Sequence, residues 1–187
     1  MTTPPQPILA CAGLGEFVLT LSLFPLIPLT IYSLLKRFTP LCHYGIGVAL
    51  GFAPLGAFVA ASGDLAFSSE LILLCLFTFF WISGFDIIYA LMDREFDQTH
   101  GVKSLPSALG EKGALAVAAF THLIAFALLV LLWMGFGGAL SLLSLSVAAV
   151  AFGAAYVPTI PIAVRFFPIS AVAGIAGALV VLLGGIS

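Results

Sequence analysis

The segment Asp86-Ile-Ile-Tyr89-Ala-Leu-Met-Asp93-Arg-Glu-Phe-Asp97 places carboxylates seven and eleven residues apart, at the end of an apolar run from Leu71 to Met92. A helix turns by about 100° per residue, so this spacing predicts that Asp86, Asp93 and Asp97 lie on one helix face. Three carboxylates on one face repel each other unless a cation lies between them, and Mg²⁺ prefers oxygen ligands of this kind together with phosphate oxygens. The segment therefore predicts a metal and diphosphate site at the mouth of a helical bundle.

The composition is that of a membrane protein. Of the 187 residues, 62% are hydrophobic and only 7% are charged, whereas about 25% of the residues in soluble domains are charged. We therefore predict an all-α, polytopic transmembrane bundle of about six helices, forming a single domain over residues 1–187. The six apolar segments, each close to the roughly 17–25 residues that cross a bilayer, are 17–35, 44–62, 71–92, 113–134, 139–157 and 167–186.

The 6 Lys and Arg residues predict the orientation of the bundle. All of them fall in alternate loops, at 36–43, 93–112 and 158–166, and the positive-inside rule places such loops in the cytoplasm. The acidic segment would then open to the cytoplasm from an inner or cytoplasmic membrane, and both termini would lie on the other side. The net charge of -2 and the lack of a basic patch argue against nucleic acid as a partner.

Two further groups of residues allow more than one interpretation. Tyr32 and Lys36 are four residues apart and so share a helix face near the same membrane surface. They are explained either as an interfacial tyrosine with an orienting lysine or as a diphosphate clamp, for which Arg37 could serve equally. In the long loop, Lys103 and Ser104 belong either to a lid that faces phosphate or to a plain turn.

Among the ionisable residues, Asp86 is the most informative. Asp86 is predicted within the last turns of a membrane helix, where a charged group is costly and usually faces a cavity or a partner; a helix-end carboxylate paired with a lysine is the alternative. His122, alone in the fourth segment, is better explained as a histidine hydrogen-bonded within the bundle than as a metal ligand. Arg165 is explained as an orienting charge, and His43 and His100 receive no role.

The acidic segment carries a family resemblance. Asp86-x-x-Tyr89-Ala90-x-x-Asp93-x-x-x-Asp97-x-x-x-Gly101-x-x-Ser104 closely resembles the second aspartate-rich motif of the UbiA family of intramembrane aromatic prenyltransferases. Tyr32-x-x-x-Lys36 with the following Arg37-Phe38-Thr39 resembles that family's diphosphate-contacting motif. The flanking residues 84–85 and 103–107 are most similar to the branch that acts on 4-hydroxybenzoate or related menaquinone-pathway acceptors.

The resemblance implies a reaction and a set of roles. It implies Mg²⁺-dependent transfer of a polyprenyl group from its diphosphate to an aromatic acceptor, in ubiquinone or menaquinone biosynthesis. It also implies that Asp93 and Asp97 hold Mg²⁺ and that Asp86 lines the pocket beneath them. The expected catalytic residues are therefore Asp86, Asp93 and Asp97, and the expected diphosphate-binding residues are Tyr32, Lys36, Arg37, Lys103 and Ser104.

The sequence departs from the family pattern in one respect. The family has nine helices and an Asn-Asp-x-x-Asp-x-x-x-Asp motif on the second, whereas this sequence has six predicted segments and no asparagine. We therefore expect a C-terminal six-helix part that lacks the first three helices, completed by a separate N-terminal helical fragment or left as a truncated product. The alternatives are a non-catalytic remnant that serves as a membrane assembly partner and, less well supported because no repeated halves are found, a small transporter element.

Overall fold

The structure is a bundle of α-helices, and no β-strand occurs in the part of the chain that it describes. This computed structural model describes residue 13 and residues 15–21, 23–65 and 67–186. A 3₁₀ turn, Pro40–Cys42, and a π-helical turn, Arg165–Ile169, interrupt the α-helices. In chain order the α-helices are α1 (Glu16–Leu21), α2 (Leu23–Leu35), α3 (His43–Gly51), α4 (Ala53–Ser62), α5 (Ser69–Tyr89), α6 (Arg94–Thr99), α7 (Leu105–Phe136), α8 (Ala139–Ala154), α9 (Ile162–Val164) and α10 (Ser170–Gly184).

Within the described residues, four stretches are long and apolar enough to cross a membrane, namely Pro40–Ser62, Ser69–Tyr89, Leu105–Phe136 and Ile162–Gly184. Helix α5 has 21 residues, which at about 1.5 Å per residue cover the roughly 30 Å of hydrocarbon. Helix α8 is equally apolar, but its 16 residues reach only about 24 Å. The predicted all-α membrane bundle is therefore confirmed, with some segments broken into shorter helices.

Helix α5 lies at the centre of the bundle. It packs against α3 on one side and α7 on the other, and α10 pairs mainly with α8. Inside a bilayer the hydrophobic effect does not drive helices together, so this arrangement depends on close packing of side chains. The largest fully buried apolar side chains of α5 and α7 are Phe85, Ile87, Ile88, Leu129 and Leu132.

Glycine allows the close helix contacts of this bundle. A Cβ at Gly47 in α3 would overlap the Ser83 hydroxyl and approach the Phe79 carbonyl oxygen of α5. A Cβ at Gly174 in α10 would overlap the Trp81 ring of α5 in the same way. These glycines therefore serve packing within the bundle, because small residues let helix backbones approach closely.

The acidic segment does not form the single helix face that its spacing predicts. Helix α5 ends at Tyr89, and α6 begins at Arg94. Between them the Asp93 N–H bonds to the carbonyl three residues earlier, at 3.2 Å, and the Asp93 backbone leaves the helical region with φ −96° and ψ 2°. This tight turn puts Asp86 and Asp97 on two different helices, so the prediction of one continuous face is wrong.

Arg165, expected from the sequence to be an orienting charge, also makes contacts within the fold, and its effect on orientation stays a prediction. Its side chain is 6% exposed, although a free charge would face water. Its Nε donates to the Ile160 carbonyl oxygen at 2.8 Å and its Nη2 to the Pro158 carbonyl oxygen at 3.0 Å. Arg165 therefore fixes the turn between α8 and α9 by satisfying backbone acceptors.

We predict that Gly47→Ala destabilises the bundle. The added methyl group meets the Phe79 carbonyl oxygen, which belongs to the backbone and cannot rotate away, and overpacking of this kind costs about 1–3 kcal/mol. Gly153→Ala is the matched control, because a Cβ at Gly153 meets open space. Thermal unfolding of the purified protein in detergent would show a lower melting temperature for Gly47→Ala only; equal melting temperatures would contradict the contact.

Candidate functional site at the loop end of the bundle

The Asp86 carboxylate, one turn before the end of α5, receives hydrogen bonds from two other helices. The Tyr32 hydroxyl of α2 lies 3.3 Å from Oδ2 and 3.5 Å from Oδ1, and His43 Nδ1, at the start of α3, lies 2.7 Å from Oδ2. The Asp86 side chain is only 14% exposed. The structure therefore brings together Tyr32 and Asp86, which the sequence assigned to one site, and adds His43.

His43 is held in place from both sides of its ring. The side chain is fully buried, and its Nε2 accepts a hydrogen bond from the backbone N–H of Leu105 at 3.3 Å. The preceding turn is fixed by Thr39, whose hydroxyl accepts from the Leu41 N–H at 3.2 Å, with Pro40 in the first turn position. Sequence reasoning left His43 unassigned, since nothing local in the chain relates it to Asp86.

The loop after α2 and the loop before α7, which carry the basic side chains predicted to bind diphosphate, are in contact. The Lys103 N–H donates to the Lys36 carbonyl oxygen at 2.8 Å, and Lys103 Nζ donates to the Phe38 carbonyl oxygen at 3.4 Å. The Cys42 thiol donates to the Lys103 carbonyl oxygen at 3.6 Å. Lys36, the exposed Arg37 and Lys103 are thus collected at one end of the bundle.

Ser104 has a structural task in this arrangement. Its hydroxyl accepts from the Ser107 N–H at 3.3 Å, and the Ser107 hydroxyl accepts from the Ser104 N–H at 2.9 Å. This reciprocal pair is a capping box, which satisfies N–H groups at the start of a helix. Ser104 is fully buried, so it fixes where α7 begins.

Asp97 lies in surroundings different from those of Asp86. Its side chain is 3% exposed, and its Oδ2 is buried without a hydrogen-bond partner in the described part of the chain. Together with Pro40, Gly101 and Lys103 it lines a cavity of about 350 Å³ that Asp86 does not line. The Arg94 Nε is likewise buried and without a hydrogen-bond partner there.

The predicted carboxylate cluster is therefore divided. Asp93 is half-buried at the start of α6, Asp97 faces the loop cavity, and Asp86 faces Tyr32 and His43. Among the described residues, no three or more His, Cys, Asp and Glu side chains are arranged so that they could hold a metal ion. The assignment of Asp93 and Asp97 as metal ligands stays a prediction.

His122 forms a second buried histidine network, with partners in α5 and in the turn after α8. Its Nε2 donates to the Trp81 carbonyl oxygen at 3.2 Å, because a carbonyl can only accept. Its Nδ1 therefore accepts from the Tyr156 hydroxyl at 2.7 Å. Both ring nitrogens are satisfied inside the bundle, in agreement with the structural role expected from the sequence.

Similar proteins are found by sequence and by structure. The chain is 34% identical to 4-hydroxybenzoate octaprenyltransferase of Serratia proteamaculans over 124 residues, which cover 66% of this chain and 41% of that protein. It is 34% identical to 4-hydroxybenzoate solanesyltransferase of Synechocystis sp. over 117 residues, covering 60% and 39%. It is 35% identical to polyprenyl transferase macG of Penicillium terrestre over 89 residues, covering 48% and 28%. The chain thus spans less than half the length of these relatives.

A solved structure agrees with the sequence comparisons. The apo structure of a UbiA homolog from Aeropyrum pernix K1 superposes with a TM-score of 0.74 at 32% identity, covering 96% of this chain and 66% of that one. The sequence model of the UbiA prenyltransferase family matches residues 7–158. These residues include the Tyr32, Asp86 and Asp97 positions. The chain is therefore an integral membrane protein that belongs to the UbiA prenyltransferase family.

Proposed function

We propose that this chain forms part of an enzyme that transfers a polyprenyl group from its diphosphate to an aromatic acceptor, 4-hydroxybenzoate or a related quinone precursor. Relatives named as 4-hydroxybenzoate octaprenyltransferase and solanesyltransferase support the acceptor class. The observation that carries the proposal is the buried Asp97 oxygen without a hydrogen-bond partner in the described residues. A buried, unpaired carboxylate is costly unless a cation binds it. In an enzyme that uses a diphosphate substrate, the Mg²⁺ that accompanies the diphosphate would be that cation.

The residues around Asp97 fit Mg²⁺. The Asp97 N–H bonds to the Asp93 carbonyl oxygen at 2.8 Å, so the two residues are one helical turn apart. Each offers hard oxygen ligands, and Mg²⁺ typically uses one or two carboxylates together with water and phosphate oxygens. We therefore propose Asp93 and Asp97 as its protein ligands. When bound, Mg²⁺ would neutralise charge that develops on the departing diphosphate.

The proposed diphosphate contacts come from the junction of the two loops. Lys36 and Arg37 follow α2 directly. The hydrogen bond from Lys103 Nζ to a carbonyl oxygen is long, 3.4 Å, and exposed, so the ammonium can exchange it for a phosphate oxygen. Cations held in advance near the leaving group stabilise the charge that forms during the reaction. Ser104 would contribute by fixing the start of α7 next to Lys103.

Asp86 and Tyr32 would form the inner wall of the site. The Asp86 side chain is only 14% exposed and lies near the end of the apolar helix α5, in a bundle that would shelter a prenyl chain from water. A positive charge on the allylic carbon would be stabilised by the nearby carboxylate as the bond to the diphosphate breaks. The electron-rich aromatic ring would then attack that carbon. Tyr32 would connect the diphosphate-binding loops to the prenyl-binding part of the site by donating a hydrogen bond to Asp86.

We further propose how the chain is placed and completed. Residues 1–187 would form one transmembrane domain, with the loops at 36–43 and 93–112 facing the cytoplasm from an inner or cytoplasmic membrane. The chain matches only 41% of the length of the Serratia proteamaculans relative, and the proposed active form includes further helices. A separate N-terminal helical fragment would contribute the additional carboxylates.

A second candidate function is a non-catalytic role as a membrane assembly partner. It is favoured by the division of the carboxylates, because no three metal-ligating side chains are grouped in the described part of the chain. The two candidates differ in one property. An enzyme must bind Mg²⁺ and diphosphate near Asp97, whereas an assembly partner needs neither.

We predict that the double substitution Asp93→Ala and Asp97→Ala lowers the rate of prenyl transfer by about 10²–10³-fold. The chain would be co-expressed with the N-terminal helices of a related prenyltransferase, and Mg²⁺-dependent prenylation of 4-hydroxybenzoate would be measured in membranes. Loss of electrostatic stabilisation of the leaving group lowers turnover by about 10²–10³-fold. Glu95→Ala is the matched control, because Glu95 is an exposed acid between the two aspartates. Undiminished activity of the double variant would remove the proposed metal role.

We also predict that Asp97→Asn changes the response of stability to Mg²⁺. Without metal the variant should melt at a higher temperature than the wild type, because an unpaired buried charge has been removed. With saturating Mg²⁺ and pyrophosphate, the wild type should gain roughly 5–11 °C, as expected for ligand at about 100 times its Kd, and the variant should gain nothing.

The control for this measurement is Glu95→Gln, which removes an exposed charge from the same helix. It should behave like the wild type. Equal gains for the wild type and Asp97→Asn would contradict metal binding at Asp97 and would favour the assembly role.

A further inference from the structure

A fully buried histidine connects the Asp86 carboxylate to the start of α7. His43 Nδ1 lies 2.7 Å from Asp86 Oδ2, and its Nε2 lies 3.3 Å from the backbone nitrogen of Leu105. The ring is 0% exposed, so no water competes for either nitrogen. The reaction proposed above uses Asp86 and does not need His43, which leaves the role of this histidine to be explained.

The two partners determine where the ring carries its proton. The Leu105 N–H can only donate, so His43 Nε2 must present its lone pair. The single proton of a neutral imidazole is then on Nδ1, from which it is donated to Asp86. A proton on Nε2 instead would face the Leu105 N–H, and it would leave the Nδ1 lone pair against a carboxylate at 2.7 Å. The neutral Nδ1–H tautomer is therefore the form that fits both contacts.

The Leu105 N–H is available because of its position in the helix. Leu105 is the first residue of α7, after the N-cap Ser104, and the first N–H groups of a helix have no partner within it. The loop before it is attached to the α2–α3 loop, since the Lys103 N–H donates to the Lys36 carbonyl oxygen. The position of this loop therefore determines whether Nε2 of His43 has its donor.

We infer that His43 is a positioning residue: it orients the Asp86 carboxylate through Nδ1–H, and the Leu105 N–H keeps the proton on that nitrogen while the loop before α7 is docked. The loop that carries Lys103 is thus coupled to the carboxylate inside the bundle by one ring. The catalytic consequence rests on the proposed function. The tautomer itself does not, and it can be measured separately.

The first experiment measures the tautomer. Full-length protein with isotope-labelled histidine is examined in detergent by nitrogen NMR, in which protonated and unprotonated ring nitrogens have distinct shifts. We expect His43 as the Nδ1–H form and His122, whose Nε2 donates to the Trp81 carbonyl oxygen, as the Nε2–H form. The His43→Asn spectrum assigns the His43 signals. An Nε2–H or doubly protonated His43 would overturn the inference.

The second experiment separates orientation from packing by two substitutions. The side-chain amide of asparagine is as far from Cβ as Nδ1 is, so His43→Asn keeps a donor toward Asp86. The amide of glutamine matches Nε2 instead, so His43→Gln keeps a partner for Leu105 and loses the donor. In the prenyl-transfer assay we expect kcat to be at least about tenfold higher for His43→Asn than for His43→Gln, the usual effect of a hydrogen bond to a charged group.

Two readouts keep this comparison decisive. His100→Gln changes an exposed histidine outside the site and should keep the wild-type rate, and melting temperatures show whether the His43 variants fold. Equal losses of kcat in folded His43→Asn and His43→Gln would overturn the positioning role. A wild type without transferase activity would count against the proposed function, and the NMR spectrum would still decide the tautomer.

The third experiment tests the coupling to the loop. Leu105→Pro removes the N–H at a position where helices tolerate proline, and the extended Ser104 backbone, φ −133° and ψ 161°, suits a residue before proline. Leu105→Ala is the matched control, since it loses at least as much packing and keeps the N–H. We expect a mixture of His43 tautomers in Leu105→Pro and the Nδ1–H form alone in Leu105→Ala. Identical spectra would overturn the coupling.

Discussion

A carboxylate inside an apolar helix bundle must be surrounded by hydrogen-bond donors, and the arrangement of this protein's loop end depends on that constraint at Asp86. Two donors from two other helices, Tyr32 of α2 and His43 of α3, meet its oxygens. Leaving a buried acceptor without one of its donors costs about 1–3 kcal/mol, and more for a charged group. The three helices that supply these groups are therefore held in one relative position by a polar contact in addition to their packing.

The packing of α3 and α5 makes this polar contact possible. Gly47 lets the two backbones approach until no side chain fits between them, and His43 begins the same helix one turn earlier. The capping pair of Ser104 and Ser107 fixes the first residue of α7, and with it the N–H that reaches the histidine. Small residues and a helix cap, which have no chemistry of their own, thus determine the geometry around the carboxylate.

The sequence predicts much of this fold and part of the site. Composition and apolar length predict the membrane bundle, and the placement of a charge near a helix end marks Asp86. The turn after Tyr89 escapes prediction, because the apolar and acidic pattern continues across it without a glycine or proline. The role of His43 escapes it too, since its two contacts lie 43 and 62 residues away and depend on tertiary packing. The contacts of Arg165 could not be predicted either. A cation that donates to backbone carbonyl oxygens has no partner side chain, so no residue spacing in the sequence indicates the contact.

The two carboxylates at the loop end differ in the hydrogen-bond donors that the protein offers them, and this difference argues for different roles. Asp86 already has one short hydrogen bond, from His43, and a longer one from Tyr32, so its charge is available for orientation and electrostatic stabilisation. Asp97 is buried more deeply and has an oxygen without a hydrogen-bond partner among the described residues. Such an oxygen can accept a cation from outside the chain. A remnant that had lost its chemistry would have no reason to keep this costly group, so the unsatisfied oxygen favours the enzyme.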